Sequence, residues 1–367
     1  MLGTPHPRYV GGMSEVALPS EHPLTSGVTA ASPAMVAYRG GQPDTRPIWM
    51  MRQAGRSLPE YRRVREGIPM LESCLRPDLV TEITLQPVRR HRVDAAILFS
   101  DIVIPLKLAG VEVDIVAGVG PVMAAPVRTV ADVRALRPLS PDALTPITDA
   151  VGMIVEQLGS TPLIGFAGAP FTLASYLVEG RPSRDYQHTL AMMRDEPALW
   201  HELLGHVALV TGAFLRAQAM AGASAVQLFD SWVGALTPAE YVEYAQPHSA
   251  TVLAAVSDLP VPRIHFGTRS RPLLALMRDA GATVMGVDFD TPLDEANEIL
   301  GGTIPLQGNI NPGLLAGEWA ALEANVRDVV RRGESAPGHV VNLGHGVPPE
   351  TDPDVLTRMV ELVHSIP

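Results

Sequence analysis

Apolar positions in this 367-residue chain gather into eight short runs, at 47–51, 95–99, 163–167, 225–229, 263–266, 284–287, 304–306 and 339–343. Each is too short for a stable helix, and most carry Val, Ile or Phe, as strands buried on both faces do. The longer stretches between them begin like helices. Thr237-Pro238-Ala239-Glu240 places a cap, a proline at the first helical position and an acid at the third. Thr291-Pro292-Leu293-Asp294 and Asn311-Pro312 are close variants, and Ser32-Pro33 opens a short helix that Gly40-Gly41 closes. Strand and helix therefore alternate, which predicts a parallel sheet. Eight repeats predict one (β/α)₈ TIM barrel over 32–367, with a doubly wound open sheet as the alternative.

Two segments break that rhythm. Residues 1–31 are punctuated by Pro, Gly and Ser and lack a basic start followed by an apolar run. They read as a flexible tail rather than a secretory signal, and cytoplasmic residence is the expectation. At 111–116 apolar and acidic residues alternate before Ala117-Gly118-Val119-Gly120-Pro121, which predicts a small hairpin inserted on the barrel. No run of 18 apolar residues is present, so a membrane span is not expected.

Composition narrows the chemistry. The formal net charge is −11, which argues against nonspecific nucleic-acid binding. Lys107 is the single lysine and Cys74 the single cysteine. Intrachain disulfides and multi-thiolate zinc or iron–sulfur sites are excluded, and a Walker loop is absent because Lys107 lies in Pro-Leu-Lys-Leu. A Schiff base would have to use Lys107 alone. Asp288-Phe289-Asp290 with Asp294 could suggest a cation, but reads more simply as a strand end and an acidic helix start.

In such a barrel the site lies where strands end. The residues there are Arg52-Gln53, Ser100-Asp101, Gly168, Asp230-Ser231, Gly267-Thr268, Asp288, Gly308-Asn309 and Gly344-His345-Gly346. Arg52, Arg56, Arg62, Arg63 and Arg65 lie within 14 positions of an otherwise acidic chain. Guanidinium groups pair two-pronged with carboxylates, so an anionic ligand is indicated. Arg62, Arg63 and Arg65 could equally form a solvated helix face. Asp101 could be a helix cap, Tyr176 core, Ser231 a cap, and His345 a hydrogen-bonded structural histidine.

The segment Pro47-Ile48-Trp49-Met50-Met51-Arg52-Gln53-Ala54-Gly55-Arg56-Ser57-Leu58-Pro59-Glu60-Tyr61 resembles the first signature of the uroporphyrinogen decarboxylase family at every defined position. The stretch from Gly165 to Gly180 resembles the second, departing at Phe171, where tryptophan is common. Leu85-Gln86-Pro87, Phe99-Ser100-Asp101-Ile102, Phe229-Asp230-Ser231-Trp232, Gln307-Gly308-Asn309 and Asn342-Leu343-Gly344-His345-Gly346 extend the likeness over nearly everything after the tail.

The resemblance implies a cofactor-free, metal-free homodimer that converts the four acetate side chains of uroporphyrinogen III to methyl groups, giving coproporphyrinogen III for haem biosynthesis. It implies that Asp101 accepts hydrogen bonds from the pyrrole N–H groups, as an ionised carboxylate can. Arg52 would act beside the leaving carboxylate, although guanidinium, with a pKa above about 12, is a poor acid. Gln53, Ala54, Gly55, Arg56, Arg65, Tyr176, Ser231 and His345 would contact the substrate. Two rival readings are a corrinoid or thiol methyltransferase of a related barrel, and a non-catalytic porphyrinogen-binding protein. The first generally needs zinc with cysteine ligation, and Cys74 stands alone.

Overall fold

The computed structural model describes residues 17–367. Its centre is a curled sheet of seven parallel strands: β1 (Ala96–Ile97), β4 (Leu163–Gly168), β5 (Ala225–Asp230), β6 (Arg263–Gly267), β7 (Val284–Gly286), β8 (Leu306–Gln307) and β9 (His339–Val340), neighbouring one another in that order. The strands β2 (Val113–Val116) and β3 (Gly120–Met123) form the expected antiparallel hairpin. β4 is buried along its whole length, and β5 and β6 nearly so, because helices cover one face and barrel-lining side chains the other.

Seven of the eight expected strands form, and the eighth does not. The segment around 47–51 contributes one parallel bridge, Ile48 to Val341, instead of a ladder, so an eight-stranded closed barrel is not what the sheet shows. Its donors explain why. Pro47 has no N–H. The amides of Ile48, Met50 and Met51 donate to the side chains of Asp94 (2.8 Å), Gln53 (2.9 Å) and Asn342 (2.9 Å). Trp49 alone donates to a neighbouring strand position, Val341 O at 3.2 Å. The Asp94 amide in turn donates to Ile48 O at 2.8 Å, so the segment lies against both edges of the curled sheet.

The helix signals fare well. Thr237 and Glu240 form a reciprocal capping box, and Pro33–Tyr38 follows Ser32. Asn311 instead caps a short 3₁₀ turn, Pro312–Ala316, before the amphipathic helix Trp319–Gly333. Of the expected tail, residues 1–16 lie outside the described residues. The part from 17 to 31 consists of turns packed on the body: Leu18 and His22 are buried, and Thr29 meets Ser224 at 2.9 Å. Among the described residues one helix, Pro197–Ala221, is long and apolar enough to cross a membrane by length and composition. Its apolar residues are mostly buried against β4 and neighbouring helices, with Leu209 left exposed.

Candidate active site

The loops at the carboxyl ends of the strands bring Arg52, Asp101, Tyr176 and His345 together. Asp101 follows β1 and begins the turn into the helix Ile104–Leu108. Its Oδ1 accepts the Val103 N–H at 3.0 Å, so the capping reading holds for one oxygen. Oδ2 has no hydrogen-bond partner among the described residues. Burial of this carboxyl pushes its pKa above the usual carboxylate range. The Val103 N–H and the Arg52 charge pull the other way.

Arg52 adopts the left-handed conformation, φ 62°, which a long side chain enters only when its surroundings impose it. The imposing contacts run on both sides. Gln53 is fully buried; its Oε1 accepts the Met50 N–H and its Nε2 donates to Ala95 O at 3.1 Å. From the loop after β9, the Val347 N–H donates to Met51 O at 2.8 Å. Gly346 has no Cβ where one would overlap the Arg52 Cδ. The Asn342-Leu343-Gly344-His345-Gly346 stretch thus shapes the seat of Arg52 as well as presenting His345.

Arg52 and Arg56 are exposed and neither has a carboxylate partner among the described residues. Arg90, Arg216 and Arg332, in contrast, are each held by carboxylates at 2.7–2.8 Å. The Arg52 charge also reaches Tyr176 and His345. Burial pushes the Tyr176 phenol up to about 12, with the Asp101 charge adding and Arg52 subtracting. Burial and the Arg52 charge both lower the His345 pKa, so its imidazole is neutral near pH 7.

One wall of this cleft is aromatic. Tyr176, from the helix Pro170–Glu179, stacks on Trp232 at 4.1 Å between centroids, and Trp232 meets Tyr186 at 5.2 Å. Tyr186 was outside the sequence expectations and carries no signal beyond its distance from any strand end. Phe171, the one departure from the second signature, is fully buried edge-on to Trp200 and away from this wall.

The remaining expected residues divide. Ser231 is half-buried at the end of β5, with its carbonyl accepting the Thr268 hydroxyl at 2.6 Å. Ala54 and Gly55 are half-buried in the Arg52 turn. Arg65 is tied into its own segment, donating to Tyr61 Oη (2.5 Å) and Ile68 O (3.0 Å). The acidic cluster is resolved structurally: Asp294 pairs with Arg332 at 2.8 Å, and Asp288 accepts the Thr291 hydroxyl at 3.2 Å. Among the described residues no group of three His, Cys, Asp or Glu side chains could hold a metal ion. Cys74 is buried near Asp101, and burial raises its thiol well above its ordinary range.

A curled parallel sheet with a free carboxylate oxygen, arginines without carboxylate partners among the described residues and an aromatic wall at its strand ends defines an α/β protein with an enzyme-like site. Comparison with known proteins gives the family. Residues 29–366 match the Uroporphyrinogen decarboxylase (URO-D) family. A uroporphyrinogen decarboxylase of Arthrobacter sp. (strain FB24) is 65% identical over 340 residues, 93% of this chain and 99% of that protein. One from Salinispora tropica is 58% identical over 93% of this chain and 92% of its own length. The chain belongs to the uroporphyrinogen decarboxylase family. Among solved structures, a methyltransferase from Methanosarcina mazei superposes with a TM-score of 0.77 at 18% identity, covering 91% of this chain and 98% of that one, which shows a shared fold.

Proposed function

We propose that the chain decarboxylates the four acetate side chains of uroporphyrinogen III to methyl groups, yielding coproporphyrinogen III in porphyrin biosynthesis. The observation that carries this reading is Asp101, with one oxygen spent on a backbone cap and the other left free beside an unpaired Arg52. A free carboxylate oxygen in a cleft accepts pyrrole N–H groups, which are donors only, while arginines take the carboxylates at the rim.

The chemistry asks little more. A proton added to the pyrrole ring carbon adjacent to the one bearing the side chain makes a ring cation conjugated with that side chain. The bond to the carboxylate then breaks, carbon dioxide leaves, and its electron pair enters the ring. Reprotonation of the exocyclic carbon and loss of the ring proton give the methyl group, so each cycle consumes one proton and releases one carbon dioxide. Asp101 offsets the ring cation, a preorganised charge in a partly water-excluded cleft. Arg52 and Arg56 orient acetate groups. Neutral His345 and the Tyr176 phenol, which keeps its proton, can hydrogen-bond the carboxylates without adding charge. Gln53 serves this site through the backbone it holds. No cofactor or metal is required by this route, and a cytoplasmic homodimer is its setting.

Anaerobic incubation with reduced uroporphyrinogen III tests it: coproporphyrinogen III forms, with or without a chelator, and sedimentation gives twice the single-chain mass. Bound substrate without release of carbon dioxide would instead support a carrier.

A further inference from the structure

Arg269 repeats the design of Arg52 on the opposite flank of the aromatic wall. It follows β6 by two residues, on the face where Asp101 and Ser231 also lie. Its φ is 51°, again left-handed for a long side chain. Glycine would occupy this conformation freely, so the arginine is held there by its surroundings.

Those surroundings act on the backbone and leave the guanidinium alone. The Arg269 N–H donates to the Asp288 carboxylate. Asp288 is buried and steadied by the Thr291 hydroxyl, while Asn309 donates to its carbonyl at 2.7 Å. Thr268 Oγ1 donates to Ser231 O at 2.6 Å, and Ser270 Oγ to Gly267 O at 2.9 Å. Gly234 lacks the Cβ that would press into Thr268 and Arg269. The buried Asp288 carboxylate is thereby turned to a main-chain amide. Arg269 itself is exposed, and no carboxylate pairs with its guanidinium among the described residues.

Its position along the cleft is set by Tyr186. Burial raises the Tyr186 phenol, and the Arg269 charge, within electrostatic reach of it, works against that rise. Tyr186 is buried, left-handed at φ 52°, and packed edge-on to Trp232, which stacks on Tyr176. Tyr176, Trp232 and Tyr186 thus form a continuous aromatic run that feels the Asp101 charge at one end and the Arg269 charge at the other. A ligand whose N–H groups converge on Asp101 sends its peripheral carboxylates outward, along such a wall.

We propose that Arg269 is a substrate-binding residue at the rim, holding a non-reacting peripheral carboxylate of the tetrapyrrole while Arg52 serves the centre. This rests on the decarboxylase reading for the identity of the ligand. Its place away from Asp101 makes it a determinant of binding rather than of bond breaking.

Arg269→Gly is the decisive variant, because glycine suits the backbone and leaves the fold intact. Expected are a KM for uroporphyrinogen III about 5-fold higher at low salt, a kcat within about twofold, and an unfolding temperature unchanged or raised. Arg269→Lys should recover part of the loss, and Arg269→Glu should exceed it. The ratio of variant to wild-type KM should shrink as salt rises, since a purely structural contact would not respond to screening. A KM within twofold of wild type at low salt overturns the proposal. So does a joint fall of kcat and unfolding temperature in Arg269→Gly. Should wild-type protein bind but not convert the substrate, the decarboxylase reading fails, and the dissociation constants of the same variants still decide the role of Arg269.

Discussion

Asp101 carries two duties with one side chain. Oδ1 closes the turn after β1, and Oδ2 faces the cleft. Asp101→Asn keeps an oxygen for the Val103 N–H and removes the charge. It should fold normally, with unfolding temperature within a degree or two of wild type, and lose about 10²–10³-fold in kcat. Near-normal turnover would remove Asp101 from the centre of the chemistry. The pH profile gives a second check. A raised carboxyl pKa means that the active, ionised form is lost on acidification sooner than an ordinary aspartate would lose it. The acid limb of kcat/KM should therefore bend above pH 4, the usual carboxylate range. Residue types and strand-end positions made this group legible in the sequence, because a polar residue after a buried apolar run is unusual. Arg269 obeys the same rule one residue beyond Gly267-Thr268. It escaped notice because a left-handed backbone leaves no trace when the residue is not glycine.

At the scale of elements, the sequence read strands better than it read what interrupts them. β4 is a continuous apolar run that its hydrophobicity places, while β5 carries Gln227 and β6 carries His265 among their apolar residues. The 47–51 run is just as apolar, yet its amides are taken by the side chains of Asp94, Gln53 and Asn342, two of them more than 40 residues away. Such long-range capping is invisible in local periodicity. It also recasts Gln53, whose amide is consumed by Met50 and Ala95. Gln53→Ala leaves a buried donor and a buried acceptor without partners, at about 1–3 kcal/mol each. The variant should unfold at a clearly lower denaturant midpoint and lose turnover as Arg52 shifts. A residue that touched only the substrate would raise KM and leave the midpoint unchanged, so the two measurements separate its roles.

For the whole molecule, net charge proved a poor guide and burial a better one. A surface carrying −11 coexists with a cleft of unpaired arginines, because most other acids and bases neutralise one another outside it. The fold's own electrostatic cost lies elsewhere, under the sheet. Asp230 ends β5 fully buried; its Oδ1 accepts the Thr172 hydroxyl at 2.7 Å, and its Oδ2 lies 4.0 Å from His265 Nε2, beyond hydrogen-bond reach. Burial pushes Asp230 up to about 7 and His265 down to about 4, so both are neutral between those values. A carboxyl whose folded pKa exceeds its unfolded value of 3.8 stabilises the fold fully below 3.8 and loses that contribution as pH rises towards 7. Asp230 alone thus lowers unfolding free energy through this window by up to about 1.4 kcal/mol per pH unit. His265, neutral in the fold down to about 4, opposes this with a rise of like size below its unfolded value of 6.5. Asp230→Asn keeps an acceptor for Thr172 and has no proton to lose, so its stability should rise steadily relative to wild type as pH goes from about 4 to about 7. Parallel curves would mean that Asp230 holds no proton in the fold over this range and that burial has not raised its pKa. Thr172 also accepts the Trp232 N–H at 3.2 Å, so the same titration, read by the fluorescence of the aromatic wall, would show whether this buried pair reaches the cleft.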